Sequence, residues 1–122
     1  RGIKYRADWI IDDRDNIYGK MNYDRQFILP KEIPTAFFCN CDKAASLIIR
    51  KLEEAGYSVP GDVSVVGFDN FEYDQEADIG ITTYEINIGE MAKRAVHIML
   101  HKMQNALYSA GVFSIQGKII ER

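Results

Sequence analysis

Residues 35–68 hold two short apolar runs separated by one amphipathic stretch, and this alternation constrains the fold more than any other feature of the chain. Thr35-Ala36-Phe37-Phe38-Cys39 is continuous and bounded by turn formers, the pattern of a strand covered on both faces. Directly after it, Asp42 can cap a helix whose apolar positions Ala45, Ile48, Ile49, Leu52 and Ala55 recur at three- and four-residue spacing. Lys43, Arg50, Lys51, Glu53 and Glu54 fall largely outside that stripe, and Gly56 supplies the stop. Val59-Pro60-Gly61-Asp62 turns the chain, and Val63-Ser64-Val65-Val66-Gly67-Phe68 is a second strand rich in β-branched residues. Strand, helix and strand in so short a span make a βαβ unit, and right-handed crossover leaves the two strands parallel. The expected class is therefore α/β, an open parallel sheet flanked by helices.

The segments on either side extend this unit. Arg1 to Lys31 mixes aromatics (Tyr5, Trp9, Tyr18, Tyr23, Phe27) with many charges; Ile3 to Ile11 is predicted as a helix remnant and Asp12-Asp13-Arg14-Asp15-Asn16 as a polar loop. Leu29 to Pro34 reads as a connection, because proline disfavours helix at its own position and at the one before. Ile81-Thr82-Thr83-Tyr84 fits a further strand after an acidic loop. Glu90 to Leu107 predicts an amphipathic helix, with Met91, Ala92, Ala95, Val96, Met99, Met103 and Leu107 inward and Glu90, Lys93, Arg94, His97, His101 and Gln104 outward. Val112 to Ile115 and Lys118 to Ile120, around Gln116-Gly117, fit either a terminal hairpin or a single bent strand.

A chain of 122 residues with 47% hydrophobic and 27% charged content can bury one core, which excludes disorder and fibrous structure. Fifteen Lys plus Arg against eighteen Asp plus Glu give a formal charge of −3, so the chain by itself carries no positive excess for a phosphate backbone. No apolar run approaches the roughly 20 residues of a membrane span, and the N-terminus lacks the apolar core of a signal peptide. A cytoplasmic chain with no membrane partner is expected. The sequence begins without Met, which suggests that a leader or an upstream domain precedes Arg1. Cys39 and Cys41 are one residue apart in a strand-like run, where a bridge would strain the backbone; free thiols are expected. A metal would need ligands beyond this pair, so no metal and no cofactor are expected.

In open parallel sheets the binding crevice lies at the carboxyl ends of the strands. That rule selects Asn40, Cys41 and Asp42 after the first strand, and Asp69 and Asn70 after the second. Carboxylates accept from vicinal hydroxyls while an amide both donates and accepts, so these groups suit a sugar or similar polyol, with Phe68, Phe71 and Tyr73 offering an apolar face to a ring. Each residue also has a plainer role: Asp42 as a helix cap, Asp69-Asn70 as a turn, and the aromatics as core. Catalysis is the weaker class. There is no G-x-S-x-G elbow, the glycines lack dinucleotide spacing, and His97 and His101 enclose Ile98-Met99-Leu100 without the glutamate of a zincin. Asp42 and Asp69 as an acid/base pair would need one of them kept protonated by burial.

Two stretches carry a resemblance. Pro34-Thr35-Ala36-Phe37-Phe38-Cys39-Asn40-Cys41-Asp42-Lys43-Ala44-Ala45 and Gly56-Tyr57-Ser58-Val59-Pro60-Gly61-Asp62-Val63-Ser64-Val65-Val66-Gly67-Phe68-Asp69-Asn70 resemble the effector domain of LacI/GalR bacterial transcription regulators. They match its "PTA-F-x-x-N-D-x-x-A" junction and its "G-x-x-V-P-x-D-V-S-V-V-G-F-D" segment. Ile81-Thr82-Thr83-Tyr84 is similar to "L-T-T-I", and Gly117-Lys118-Ile119-Ile120-Glu121-Arg122 closes in matching order. The resemblance runs from about Pro34 to Arg122 and is weak before that.

The resemblance implies that residues 1–122 form the C-terminal lobe of a two-lobed domain like the periplasmic sugar-binding proteins, with 1–33 less firmly placed. The DNA-binding head and most of the N-terminal lobe would lie outside the chain. A small effector, commonly a sugar or nucleobase, would bind between lobes and alter operator affinity through that head. Asp69 matches the aspartate of "G-F-D" and Asp42 that of "N-D"; the asparagine falls at Cys41, whose thiol cannot reproduce an amide. The helix matching Glu90 to Leu107 crosses in the family to the N-terminal lobe, so here its packing can differ. A homodimer is implied, with Ile48, Ile49, Phe71 and Tyr73 as interface candidates and the core as their alternative. Two other functions compete: the sugar-binding protein of a transporter, and a sugar-processing enzyme.

Overall fold

The computed structural model describes residues 6–12, 28–71 and 80–122. After a single 3-10 turn at Ala7–Trp9, the elements run β1 (Ala36–Phe38), α1 (Asp42–Glu54), β2 (Ser64–Asp69), β3 (Thr82–Glu85), α2 (Ile88–Gln104) and β4 (Lys118–Ile120). The sheet has the order β1-β2-β3-β4. β1 pairs parallel with β2 through Phe37↔Val65, and β2 parallel with β3 through Gly67↔Thr83. β4 lies antiparallel to β3 through Thr83↔Ile120. The sheet is therefore mixed rather than wholly parallel, and the terminal hairpin does not form. Val112–Ile115 takes no strand conformation; Lys118–Ile120 uses the open edge of β3 directly.

The core sits between α1 and one face of β1 and β2. Strand residues alternate sides, so Phe37, Cys39 and Val65 turn toward the helix and meet Ala45, Ile48, Ile49 and Leu52. Burying one Leu or Ile in such a core stabilises by about 1.5–3 kcal/mol. β1 is covered on one face only: Phe37 is 8% exposed and Phe38 76%. The expectation of cover on both faces failed because a continuous apolar run does not say how many layers exist to meet it.

The ends of α1 are set by local chemistry. Cys41, with φ −156° and ψ 163°, is the N-cap, and its Sγ accepts from the Ala44 N–H at 3.5 Å. Asp42, predicted as the cap, is already helical. At the other end Gly56 adopts φ +89°, its N–H donates to Glu53 O at 2.9 Å, and the Tyr57 N–H donates to Leu52 O at 2.9 Å. This is a Schellman closure, which favours glycine because the left-handed position crowds a Cβ. Ala55, counted in the apolar stripe, is exposed beyond the last turn. A turn closed by Asp62 Oδ2, which accepts from both the Ser58 N–H and its hydroxyl, leads into β2.

Two predicted helices differ from expectation. Within Ile3–Ile11 the described part is one 3-10 turn with no buried residue, and residues 1–5 lie outside the described residues, as do 13–16 of the predicted loop. A short helix needs a packed face. Here Arg6 instead pairs with Asp8 and Glu32, its guanidinium lies 5.1 Å over the Trp9 ring, and the Trp9 indole donates to Glu32 O. α2 forms as predicted but stops at Gln104 and buries none of its residues, so the positions expected inward, Met91, Ala92, Ala95, Val96, Met99 and Met103, are exposed, as is Leu107 beyond its end.

Candidate functional site

Parallel pairing of β1 and β2 opens their carboxyl ends at one edge. The Cys39 N–H donates to Val66 O at 2.8 Å, so the pairing runs up to the point where Asn40, Cys41 and Asp42 leave the sheet. Asp69, at the end of β2, stands opposite Glu85 at the end of β3. The sequence-derived residues thus converge on one rim, with Glu85 added to them.

Their side chains take separate roles. Asn40 is exposed and borders a mostly apolar cavity of about 250 Å³ between Trp9–Ile11 and β1. Cys39 lines the same cavity, and burial pushes its thiol up to about 12, with the neighbouring Cys41 and Asp42 adding to the effect. Cys41 is committed to capping α1. Asp42 lies against the sheet, where a Cβ at Gly67 would collide with its Oδ1, so glycine at 67 makes room for the carboxylate. Neither Asp42 Oδ1 nor the fully buried Thr83 hydroxyl makes a well-formed hydrogen bond among the described residues, although the two groups are neighbours. Desolvation raises the Asp42 carboxyl above its ordinary range, Asp69 adds to this, and Thr83 and Arg122 oppose it. The position of Asp42 in the first turn of a helix would favour its charge; burial outweighs that.

Asp69 and Asn70 form the most constrained part of the rim. Both have positive φ, 95° and 51°, a region that Asp and Asn tolerate because a short polar side chain can bond locally. Asp69 Oδ1 accepts from the Phe71 N–H at 3.1 Å. The Asn70 amide is engaged at both ends: Oδ1 accepts from Arg122 Nη2 at 2.7 Å and Nδ2 donates to Glu85 Oε1 at 2.9 Å. Lys118 Nζ reaches Glu85 Oε2 at 3.0 Å. These contacts, Lys118 first and Asn70 second, hold the Glu85 carboxyl below the usual range. On the opposite face of the sheet the Phe68 and Tyr84 rings stack with centroids 5.7 Å apart, and the Tyr84 hydroxyl accepts from the Gly117 N–H at 2.9 Å.

The remaining candidates divide. Ile48 and Ile49, offered as interface residues, are core, each 2% exposed, so a partner cannot reach them. Phe71 is exposed; Tyr73 lies outside the described residues. His97 and His101 are exposed on α2, in edge contact at 4.4 Å, and His101 stacks on Tyr108. Among the described residues no three His, Cys, Asp or Glu side chains are grouped to hold a metal ion. No helix among them is long and apolar enough to cross a membrane. Glu85, Lys118, Arg122 and Tyr84 were not singled out from the sequence. The one signal that could have found them is the Asp69-Asn70 pair itself, since a left-handed turn without glycine needs outside support.

The whole chain, residues 1–122, matches the periplasmic binding protein-like domain. It is 30% identical over 121 residues to the HTH-type transcriptional repressor PurR of Photobacterium profundum, covering 99% of this chain and 36% of that protein. With the same-named repressor of Aliivibrio fischeri it shares 34% identity over 122 residues, again 36% of that protein. The chain therefore spans about a third of the length of these curated relatives, which are repressors and not enzymes. Among solved structures it is similar to a LacI-type transcription regulator from Bifidobacterium animalis subsp. lactis, with TM-score 0.63, 31% identity, and coverage of 73% of this chain and 32% of that one. A LacI family regulator from Lactobacillus casei with bound sucrose gives TM-score 0.59 at 28% identity, covering 73% and 32%.

Proposed function

This chain belongs to the periplasmic binding protein-like domain family as it occurs in LacI-type regulators, and on that premise we propose that it is the C-terminal lobe of a cytoplasmic transcription regulator's effector-sensing domain. Its role is non-enzymatic. A small polyhydroxylated effector, a sugar or close relative, is held at Asp69 with Asn40, Cys41 and Asp42 around it, and an N-terminal lobe outside the chain supplies the second wall. Phe68 stacks on Tyr84 on the other face of the sheet, and Asn70 holds the turn rather than the effector. The sucrose-bound Lactobacillus casei regulator supports that chemical class. Effector binding favours a closed arrangement of lobes, and the difference in affinity between open and closed states shifts the operator affinity of a helix-turn-helix head that this chain does not contain.

The observation that carries the reading is the parallel pairing of β1 with β2, which brings Asn40–Asp42 and Asp69–Asn70 to one edge. The exposed apolar stripe of α2 agrees with it, since a helix that crosses to the other lobe leaves such a face uncovered in this one. Homodimerisation is assigned to the face around Phe71. The deciding experiment is calorimetry of the full-length protein against a panel of sucrose, glucose, galactose and ribose. Asp69→Ala is expected to weaken binding by at least about tenfold, the effect of losing a charge-assisted hydrogen bond; unchanged affinity would mean that the site is elsewhere.

A further inference from the structure

We propose that Arg122, Glu85 and Lys118 are positioning residues, a clamp from the closing strand that holds the Asp69–Asn70 turn in its left-handed conformation and so aims Asp69 at the effector; the effector part rests on the function proposed above. Two consecutive non-glycine residues with φ of 95° and 51° persist only where the surroundings over-determine them. The local contacts, Asp69 Oδ1 with the Phe71 N–H and the Asp42 carboxyl toward the same Phe71 backbone, act on the end of a half-buried turn and do not hold the Asn70 side chain. The stronger constraint acts on Asn70. Its carbonyl oxygen meets a guanidinium and its NH₂ meets a carboxylate, both charge-assisted, and a flipped amide would face like polarity at both ends.

Each jaw of the clamp is itself fixed. Arg122 is tied down by its Nη1, which donates to Ile81 O at 3.1 Å, and by its backbone N–H, which donates to Thr82 Oγ1 at 3.2 Å. Glu85 is anchored by strand pairing to Asp69 and by Lys118. Lys118 opens β4 and Arg122 follows it, so the antiparallel strand added to the sheet edge reaches past β3 to grip the end of β2. The Asn70 amide, used at both ends within the protein, acts on the turn rather than on the effector.

The test is hydrogen exchange of the segment 69–71 in the full-length protein, with the Leu52 amide in α1 as internal reference. Arg122→Met removes the donors at similar length and is expected to speed exchange of 69–71 by about tenfold while Leu52 is unchanged. Arg122→Lys, which keeps one donor, restores part of the protection, and Glu85→Gln, which keeps an acceptor without the charge, gives a smaller rise. Unchanged exchange in both Arg122→Met and Glu85→Gln overturns the clamp, and so does a rise at Leu52 of the same size, because that reports general loosening. Sugar binding is measured on the same variants. If Asp69→Ala abolishes binding while Arg122→Met leaves it intact, Asp69 is the contact but the clamp does not position it. If no sugar of the panel binds the parent protein, the effector reading fails and exchange alone decides the clamp.

Discussion

α1 and α2 are both capped amphipathic helices, yet the shorter one carries the core and the longer one carries none of it. α1, 13 residues long, buries Ala44, Ala45, Ser46, Ile48, Ile49 and Leu52 against β1 and β2. α2, at 17 residues, leaves Met91, Val96, Met99 and Met103 in solvent. The difference is one of connection rather than composition. α1 joins two neighbouring parallel strands, and a right-handed crossover returns such a helix onto the sheet. α2 joins strands that pair antiparallel, an arrangement a tight turn could have made, so nothing in the pairing brings the helix back. Periodicity identifies the face that needs cover and is silent on which surface covers it.

The largest test of this contrast is truncation of matched apolar residues. Leu52→Ala in the 122-residue chain is expected to cost about 2–5 kcal/mol in chemical denaturation, since the side chain is fully buried. Met99→Ala, at a position 66% exposed, should fall within about 0.5 kcal/mol of the parent. In a longer protein that supplies the other lobe the same Met99→Ala change should become destabilising. Equal costs for the two substitutions in the short chain would show that α2 is packed there.

A smaller effect probes the seam where the well-packed half meets the rim. Gly67→Ala places a methyl group on Asp42 Oδ1 and close to Ile81 Cγ2, at 3.2 Å, and should destabilise by about 1–3 kcal/mol. Combining it with Asp42→Ala should recover part of that loss, a coupling that a double-mutant cycle reads directly. Additive costs would mean that the carboxylate does not occupy the space above Gly67.

These tests also mark how far the residues alone lead. The βαβ unit was legible because Gly56, the stripe through Leu52 and the β-branched run before Phe68 are all local signals pointing to one arrangement. The position of the rim follows from strand direction, which puts Asn40, Asp42, Asp69 and Asn70 at the carboxyl ends of neighbouring parallel strands without knowledge of any contact. The roles within the rim were not legible. Cys41 rather than Asp42 caps α1, because which of two adjacent residues stays extended depends on where the carboxylate finds room, and that room is made by Gly67 on another element. Arg122 and Glu85 were missed for the same reason: their partner is 52 and 15 residues away, and no periodicity spans such distances. Ile48 and Ile49 share the helical stripe of Ala45 and Leu52, a spacing that points to the core rather than to an interface, and the core is where they are buried.

Acidity offers a third way to separate the regions. Because burial raises the Asp42 carboxyl in the folded protein above its unfolded value of about 3.8, the folded state holds that proton more tightly. The associated stability is therefore present below that value and is lost as pH rises through the folded value. Asp42→Asn should match the parent in acid and exceed it slightly at neutral pH, by less than the Gly67 substitution costs. Thermal unfolding of both proteins from acid to neutral pH checks this, and a gap that widens in acid instead would reverse the assigned sign. On α2 the exposed Glu90–Arg94 pair, 3.8 Å apart, gives Glu90→Gln an effect of at most about 0.5 kcal/mol.

The caps provide the finest comparison, because the two helices differ in cap quality in the direction opposite to their packing. Asn87 Oδ1 accepts from the Glu90 N–H at 3.0 Å, a better bond than the 3.5 Å contact of Cys41 Sγ. A cap contributes to cooperative stability only if its helix unfolds together with the core. Cys41→Ser, which substitutes a stronger acceptor on the packed helix, should raise the denaturation midpoint by the equivalent of a few tenths to about 1 kcal/mol. Asn87→Ala removes the better cap, yet in the short chain it should lower helical circular dichroism before the transition and leave the midpoint nearly unchanged. A midpoint shift from Asn87→Ala as large as that from Cys41→Ser would mean that α2 is cooperatively joined to the core despite its exposed face.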